Sequence, residues 1–100
     1  MDPKLKSKIM KKLEAVLDPE LYVSIVDLGL IYDILDTKGK ITVTMTLTTM
    51  GCPLFGLLEE DIKSNVMKIK GVRDVFINLV FDPPWSMDRM TERGKAQLGI

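Results

Sequence analysis

Cys52 is the single thiol of this chain, and no histidine accompanies it anywhere in the sequence. A lone cysteine cannot close an intrachain disulfide and points to a reducing compartment, so its chemistry is that of a thiolate: a soft metal ligand or a nucleophile. Without histidine there is no Ser-His or Cys-His pair, and no zinc site can draw four Cys or His ligands from one chain. A Cys52 nucleophile would need a carboxylate base and an oxyanion hole. The neighbours of Cys52 are informative. Gly51 precedes it, and Pro53 follows at what reads as the first residue of a helix, where free backbone N–H groups and the positive end of the helix dipole favour a thiolate. Thr48 and Thr49 bring hydroxyls to the same turn, either to hydrogen-bond a sulfur or an anionic ligand or as ordinary strand and turn threonines. Asp18, Glu20, Asp27 and Asp82 are the carboxylates that stand beside prolines or near strand ends. They are either oxygen ligands or partner contacts near Cys52, or caps of turns, and for Asp27 and Asp82 the structural reading is the stronger.

The elements that must position these residues follow from periodicity. Asp2 and Pro3 read as an N-cap and first helical residue, and Leu5, Ile9, Leu13, Val16 and Leu17 recur at helical spacing, predicting a helix to about Leu17. Lys4, Lys6, Lys8, Lys11 and Lys12 form its outer face, read as a solvated face. Asp18-Pro19-Glu20 ends it. Residues 30–35 alternate, the Asp36-Thr37-Lys38-Gly39 turn follows, and Ile41, Val43, Met45 and Leu47 alternate with Thr42, Thr44, Thr46 and Thr48, predicting a β-hairpin whose second strand has an aliphatic face and a threonine face open to water. Phe55, Leu58, Ile62, Val66 and Ile69 mark a second helix to about Lys70, closed by Gly71. Val75, Ile77, Leu79 and Phe81 predict a third strand, stopped by Asp82-Pro83-Pro84-Trp85. Ser86 and Thr91 are candidate N-caps for a turn at 87–90 and a short helix at 92–98. Gly29 and Gly51 are placed for backbone angles closed to other residues, and Trp85 for covering an edge of the core.

The order α-β-β-α-β plus a tail predicts one domain over residues 1–100: an α+β two-layer sandwich, with a three-stranded sheet and both long helices on its aliphatic face. The third strand fits either parallel beside the second or antiparallel beside the first. A hydrophobic share of 46% with 28% charged residues is that of an ordinary globular domain. Fourteen Lys plus Arg balance fourteen Asp plus Glu, so no global field favours nucleic acid. No apolar run reaches the roughly 20 residues of a membrane span, and the expected location is the cytoplasm.

Four segments carry a family resemblance: Asp18-Pro19-Glu20, the run from Ser24 to Ile31 (SIVDLGLI), the run from Met45 to Pro53 (MTLTTMGCP) and Asp82-Pro83-Pro84-Trp85. Together, in this order and spacing, they resemble the SufT/PaaD-like family of metal–sulfur cluster assembly factors over nearly the whole chain. The resemblance implies a fold similar to the C-terminal domain of NifU-type scaffolds and a role in maturing iron–sulfur proteins. It implies a non-enzymatic carrier or client adaptor, with an assembly scaffold and apoprotein clients as partners, and with Cys52 in the position of the family's functional cysteine. Accessory work in phenylacetate-ring oxygenation is also found in the family. No extra domain or terminal cysteine identifies a subtype.

Three function classes therefore stand side by side: an assembly factor with Cys52 as transfer ligand, which is the reading preferred here, an interaction module in which Cys52 is incidental, and a cysteine-dependent enzyme. Ligand counting refines the first. An iron–sulfur centre takes about four ligands and this chain offers one thiolate. Iron or a labile cluster would then be bridged across a homodimer or shared with a partner or an added thiol.

Overall fold

The computed structural model describes residues 3–19, 21–48 and 55–99. Its elements are α1 (Pro3–Glu14), β1 (Ile31–Thr37), β2 (Lys40–Met45), α2 (Phe55–Met67), β3 (Asp74–Leu79), a 3-10 turn at Met87–Arg89 and α3 (Glu92–Leu98). The strands form one mixed sheet in the order β1-β2-β3, with β1 antiparallel and β3 parallel to the central β2. The open choice of the sequence is thereby settled: the β2-α2-β3 crossover lays the third strand beside the second. This is the α+β fold that the periodicity predicts, with one aliphatic sheet face under the helices.

Its core is built from the anticipated stripes. Ile9 and Leu13 of α1, Leu58, Ile62 and Val66 of α2, Ile41, Val43 and Met45 of β2 and Val75 of β3 are buried in one cluster. Spacing of three or four residues puts each helical set on one face, and alternation does the same on the strands. The β1–β2 hairpin turns at Lys38 and Gly39, both at positive φ, the two-residue geometry that suits strand twist. The Gly39 N–H donates to Asp36 Oδ1 at 2.9 Å.

Boundaries differ from the sequence reading in four places. Helix α1 stops at Glu14 rather than near Leu17. Val16 N–H closes back three residues onto the Leu13 carbonyl at 3.0 Å, and Leu17 pairs with Ser24 in a short bridge. Strand β2 ends at Met45 rather than Thr48. The alternation breaks with it: Thr46 and Leu47 are both buried, so Thr46 departs from the water-facing threonine row that Thr42 and Thr44 begin. Helix α2 ends at Met67 rather than Lys70 because Ile69 N–H also closes back three residues, onto the Val66 carbonyl. Strand β3 ends at Leu79. Once β2 has stopped, the Val80 N–H still bonds to the Met45 carbonyl at 2.8 Å, and Phe81 lies exposed beyond the ladder.

Candidate functional site

Pairing register decides where the four segments lie. Met45 stands opposite Ile31 on one side and opposite Leu79 on the other. The residues before β1, after β2 and after β3 therefore share one end of the sheet. Thr46 N–H donates to the Leu30 carbonyl at 2.9 Å and continues the join past the last ladder pair. Because α2 follows β2, its first described residue, Phe55, is three positions after Cys52 in the chain, and Thr48 is four before it. The carboxyl ends of parallel strands are where crossover folds place their ligands.

Hydrogen bonds link the chain around three of the segments. The loop of Asp18-Pro19 is tied to the Ser24–Ile31 run: Ile25 N–H donates to the Val16 carbonyl at 3.0 Å, and Asp18 N–H to the Val23 carbonyl at 2.9 Å. The Ser24–Ile31 run in turn receives the Asp82–Trp85 segment, since Trp85 Nε1–H donates to the Leu28 carbonyl at 2.6 Å. Tyr32 Oη–H, one residue further on, donates to the Pro83 carbonyl at 2.7 Å. The fourth segment joins through Met45 and Thr46.

A cleft of about 450 Å³ opens at this junction, lined by Gly29, Ile31, Tyr32, Pro83 and Arg89. The Arg89 guanidinium sits over the Tyr32 ring, 4.6 Å from its centroid, a cation–π arrangement. Gly29 is required here. Its φ is +76°, and a Cβ would collide with the backbone carbonyl of Arg89.

The individual candidates occupy distinct roles. Asp18 is buried, and its Oδ1 accepts from Leu21 N–H at 3.0 Å, closing the turn after the proline. Asp27 is buried and fully engaged. Its Oδ1 accepts from Thr91 Oγ1–H at 2.9 Å and from Arg93 Nη2 at 3.1 Å, and its Oδ2 from Arg93 Nε at 3.0 Å. Its backbone carbonyl accepts from Thr91 N–H at 2.9 Å. The Asp27 carboxylate, through this hydrogen bond and its charge, raises the Arg93 guanidinium above its ordinary value, with a smaller push from Glu14. Thr48 is half-buried and Asp82 exposed. Glu20, Thr49, Gly51, Cys52 and Pro53 lie outside the described residues. Among the described residues no group of three or more carboxylates comes close enough to hold a metal ion, so Asp18, Asp27 and Asp82 do not form a cage of their own.

Sequence reasoning missed the C-terminal partners. Thr91 caps α3 as anticipated, accepting from Gly94 N–H at 3.0 Å, whereas the Ser86 side chain caps nothing. The same Thr91, with Arg93 and Gly94, clasps Asp27. At Gly94 a Cβ would come within 2.8 Å of the Asp27 carbonyl oxygen, so only glycine lets α3 approach. Nothing local in the sequence links positions 27 and 93. Thr46 is the other omission: its Oγ1 is buried with no hydrogen-bond partner among the described residues.

The comparisons with known proteins agree with this geometry. The chain is 45% identical over 101 residues to the Fe-S protein maturation auxiliary factor YitW of Bacillus subtilis, covering 100% of this chain and 99% of that protein. It is 34% identical to an iron-sulfur cluster carrier protein of Synechocystis over 76% of this chain, which corresponds to 22% of the carrier's length. Among solved structures, the crystal structure of a domain of unknown function from Bacillus anthracis superposes with a TM-score of 0.89 at 41% identity, covering 97% of this chain and 93% of that one. The model of the family described as iron-sulfur cluster assembly protein matches residues 6–79, and the chain belongs to that family.

Proposed function

We propose that this protein is a non-enzymatic maturation factor that hands iron or an iron–sulfur cluster to apoprotein clients, with Cys52 as the cargo ligand. The observation that supports it most is that Leu28, Met45, Pro83 and Trp85, from three of the motif segments, meet at one sheet end, with Cys52 in the stretch of chain between Thr48 and Phe55. The names of the relatives, a maturation auxiliary factor and a cluster carrier, support the same reading. The chain has no histidine, the commonest general base, and so no Cys-His pair to serve a nucleophile.

The cargo is held incompletely by one chain. A cluster takes about four ligands and one thiolate is available, so the remaining positions fall to a second chain, an assembly scaffold, a client or an added thiol. Weak, shared ligation suits a protein that must release what it carries. The rest of the fold needs no metal, since its core is apolar and complete among the described residues.

The test is anaerobic reconstitution of wild type and Cys52→Ala with ferrous iron and sulfide, with iron and acid-labile sulfide counted per chain across size-exclusion peaks. Each protein is then offered to an apo iron–sulfur client. The expected result is cargo in a dimer or thiol-dependent peak for wild type, and neither cargo nor transfer for the variant. Transfer retained by Cys52→Ala would overturn the role of the thiol, and cluster held tightly in a monomer without added thiol would overturn the shared ligation.

A further inference from the structure

Away from the motif end, α1 and α2 enclose a groove of about 420 Å³ lined by Lys8, Lys11, Lys12, Ala15, Asn65, Ile69 and Lys70. Asn65 lies ten residues after Phe55, about 15 Å further along the helix at 1.5 Å per residue. The groove is therefore at the opposite end of α2 from the residue that follows the Cys52 segment. Four lysines line it, Lys8, Lys11 and Lys12 from α1 and Lys70 from the turn after α2. Lys8 is three residues from Lys11 and four from Lys12, so these like charges are neighbours on one helical face, a mutually unfavourable spacing. Among the described residues none of the four makes an ion pair. The acids of α2, Glu59, Glu60 and Asp61, sit at least four residues before Asn65. The floor is apolar, formed by the exposed Ala15 and the rim of the buried Ile69, and the lysine stems extend it.

We infer that this groove docks an acidic amphipathic helix of a partner protein, whose carboxylates pair with Lys8, Lys11, Lys12 and Lys70 while its apolar stripe meets Ala15 and Ile69. A groove between two helices with an apolar floor and a charged rim fits the helix-in-groove mode of recognition, and the charge selects an acidic occupant. Nucleic acid fits less well. The lining holds no aromatic side chain to stack a base and no arginine to fork onto a phosphate, and the chain has equal numbers of acidic and basic residues. A lipid surface would need bulky apolar groups to insert, and the lining exposes none. The proposal does not depend on the role of Cys52. A partner seated here leaves the motif end of the sheet uncovered.

The probe is a fluorescein-labelled peptide with Leu at positions i, i+3, i+4 and i+7 and Glu elsewhere, titrated against wild type, Lys8→Glu/Lys11→Glu, Ala15→Glu and the hairpin-turn control Lys38→Glu/Lys40→Glu. Circular dichroism melts of each protein establish that it is folded, and Ala15→Glu places charge in the groove without touching the lysines. The expected result is saturable binding that weakens with salt, amide NMR shifts centred on Ala15, Asn65 and Ile69, and a loss of roughly tenfold or more in affinity for both groove variants but not for the control. Equal weakening in the control, equal binding of a scrambled peptide of the same composition, or shifts centred elsewhere would overturn the proposal. Tighter binding of single-stranded DNA or phosphatidylserine vesicles, or self-association abolished by Lys8→Glu/Lys11→Glu, would assign the groove to another occupant and overturn it as well.

Discussion

Arg93 grips Asp27 with two of its nitrogens, Nε at 3.0 Å and Nη2 at 3.1 Å, across 66 residues of sequence. The pair is asymmetric, for the carboxylate is buried while 64% of the arginine side chain stays in water. Its weight falls on the aspartate, which has no solvent to turn to if its donors leave. The contact fixes α3 against the loop that precedes β1, and that loop forms one wall of the motif end. The C-terminal helix thus acts on the candidate site as a positioning element.

Asp27→Ala is expected to cost about 1.5 to 3 kcal/mol, the range for a hydrogen-bonded charged group, and Asp27→Asn less, because the amide oxygen still accepts from Thr91. Arg93→Ala should cost less than Asp27→Ala, since exposed ion pairs contribute little. Urea melts give the ranking, and amide exchange in α3 should accelerate in all three. The guanidinium is raised by its partner. A raised cationic group gives stability that is present below its unfolded value and lost only above the folded one, both far into alkali. The effect of Arg93→Ala should therefore be the same at roughly pH 6 and pH 9.

Gly29→Ala should damage the fold by about 1 to 3 kcal/mol, the cost of a strained backbone position, to which the collision with the Arg89 carbonyl adds. Gly94→Ala also meets backbone, the Asp27 carbonyl oxygen at 2.8 Å, but the overlap is smaller than at Gly29 and no positive φ is involved, so its cost should be milder. Trp85 is the single tryptophan and its indole bonds to Leu28, next to Gly29. Its fluorescence should shift in Gly29→Ala before global unfolding begins, and an unchanged emission with an unchanged melt would contradict the close approach.

Thr46→Val should raise stability by up to about 1 kcal/mol, because the near-isosteric change removes a buried hydroxyl that has no partner among the described residues and whose burial carries a cost of that order or more. A thermal melt decides it. A loss in cargo transfer with a gain in melting temperature would mean that the hydroxyl is kept for work at the motif end.

Cys52→Ser should leave stability within about 1 kcal/mol of wild type if the thiol serves cargo rather than packing, whereas Ile62→Ala, in the buried face of α2, should cost roughly 2 to 5 kcal/mol. Denaturant melts of the two side by side give the comparison. Equal losses would make Cys52 a core residue and weaken the transfer reading.

How much of this was legible in the residues depends on the range of the interaction. Ile9 and Leu13, or Leu58, Ile62 and Val66, announce their burial through spacing alone, because helix geometry turns a three-or-four-residue interval into a shared face. The hairpin was equally plain, since Asp36 and Gly39 are a local pair. Strand order was not, because the parallel seat of Val75 opposite Ile41 is set by how α2 packs, which periodicity does not record. Element ends were read two or three residues long at Leu17, Thr48 and Lys70, where a last turn tightens or a partner strand stops. In the site, the motif segments were visible as punctuation, yet that Trp85 bonds to Leu28 and Tyr32 to Pro83 is a matter of tertiary placement. Asp27 was read as more structural than chemical, and its occupied oxygens fit that reading, but its donors on α3 had no signature to find.

The clasp on Asp27 also sets an order of events during synthesis. A nascent chain can assemble most of its apolar core once residues up to Leu79 have left the ribosome, because among the described buried core residues Met90 alone lies beyond that point. The wall made by Asp27 and Gly29 stays unfastened until Thr91, Arg93 and Gly94 have emerged. Domains fold as the chain is extruded, so most of the scaffold is finished first and the motif end last.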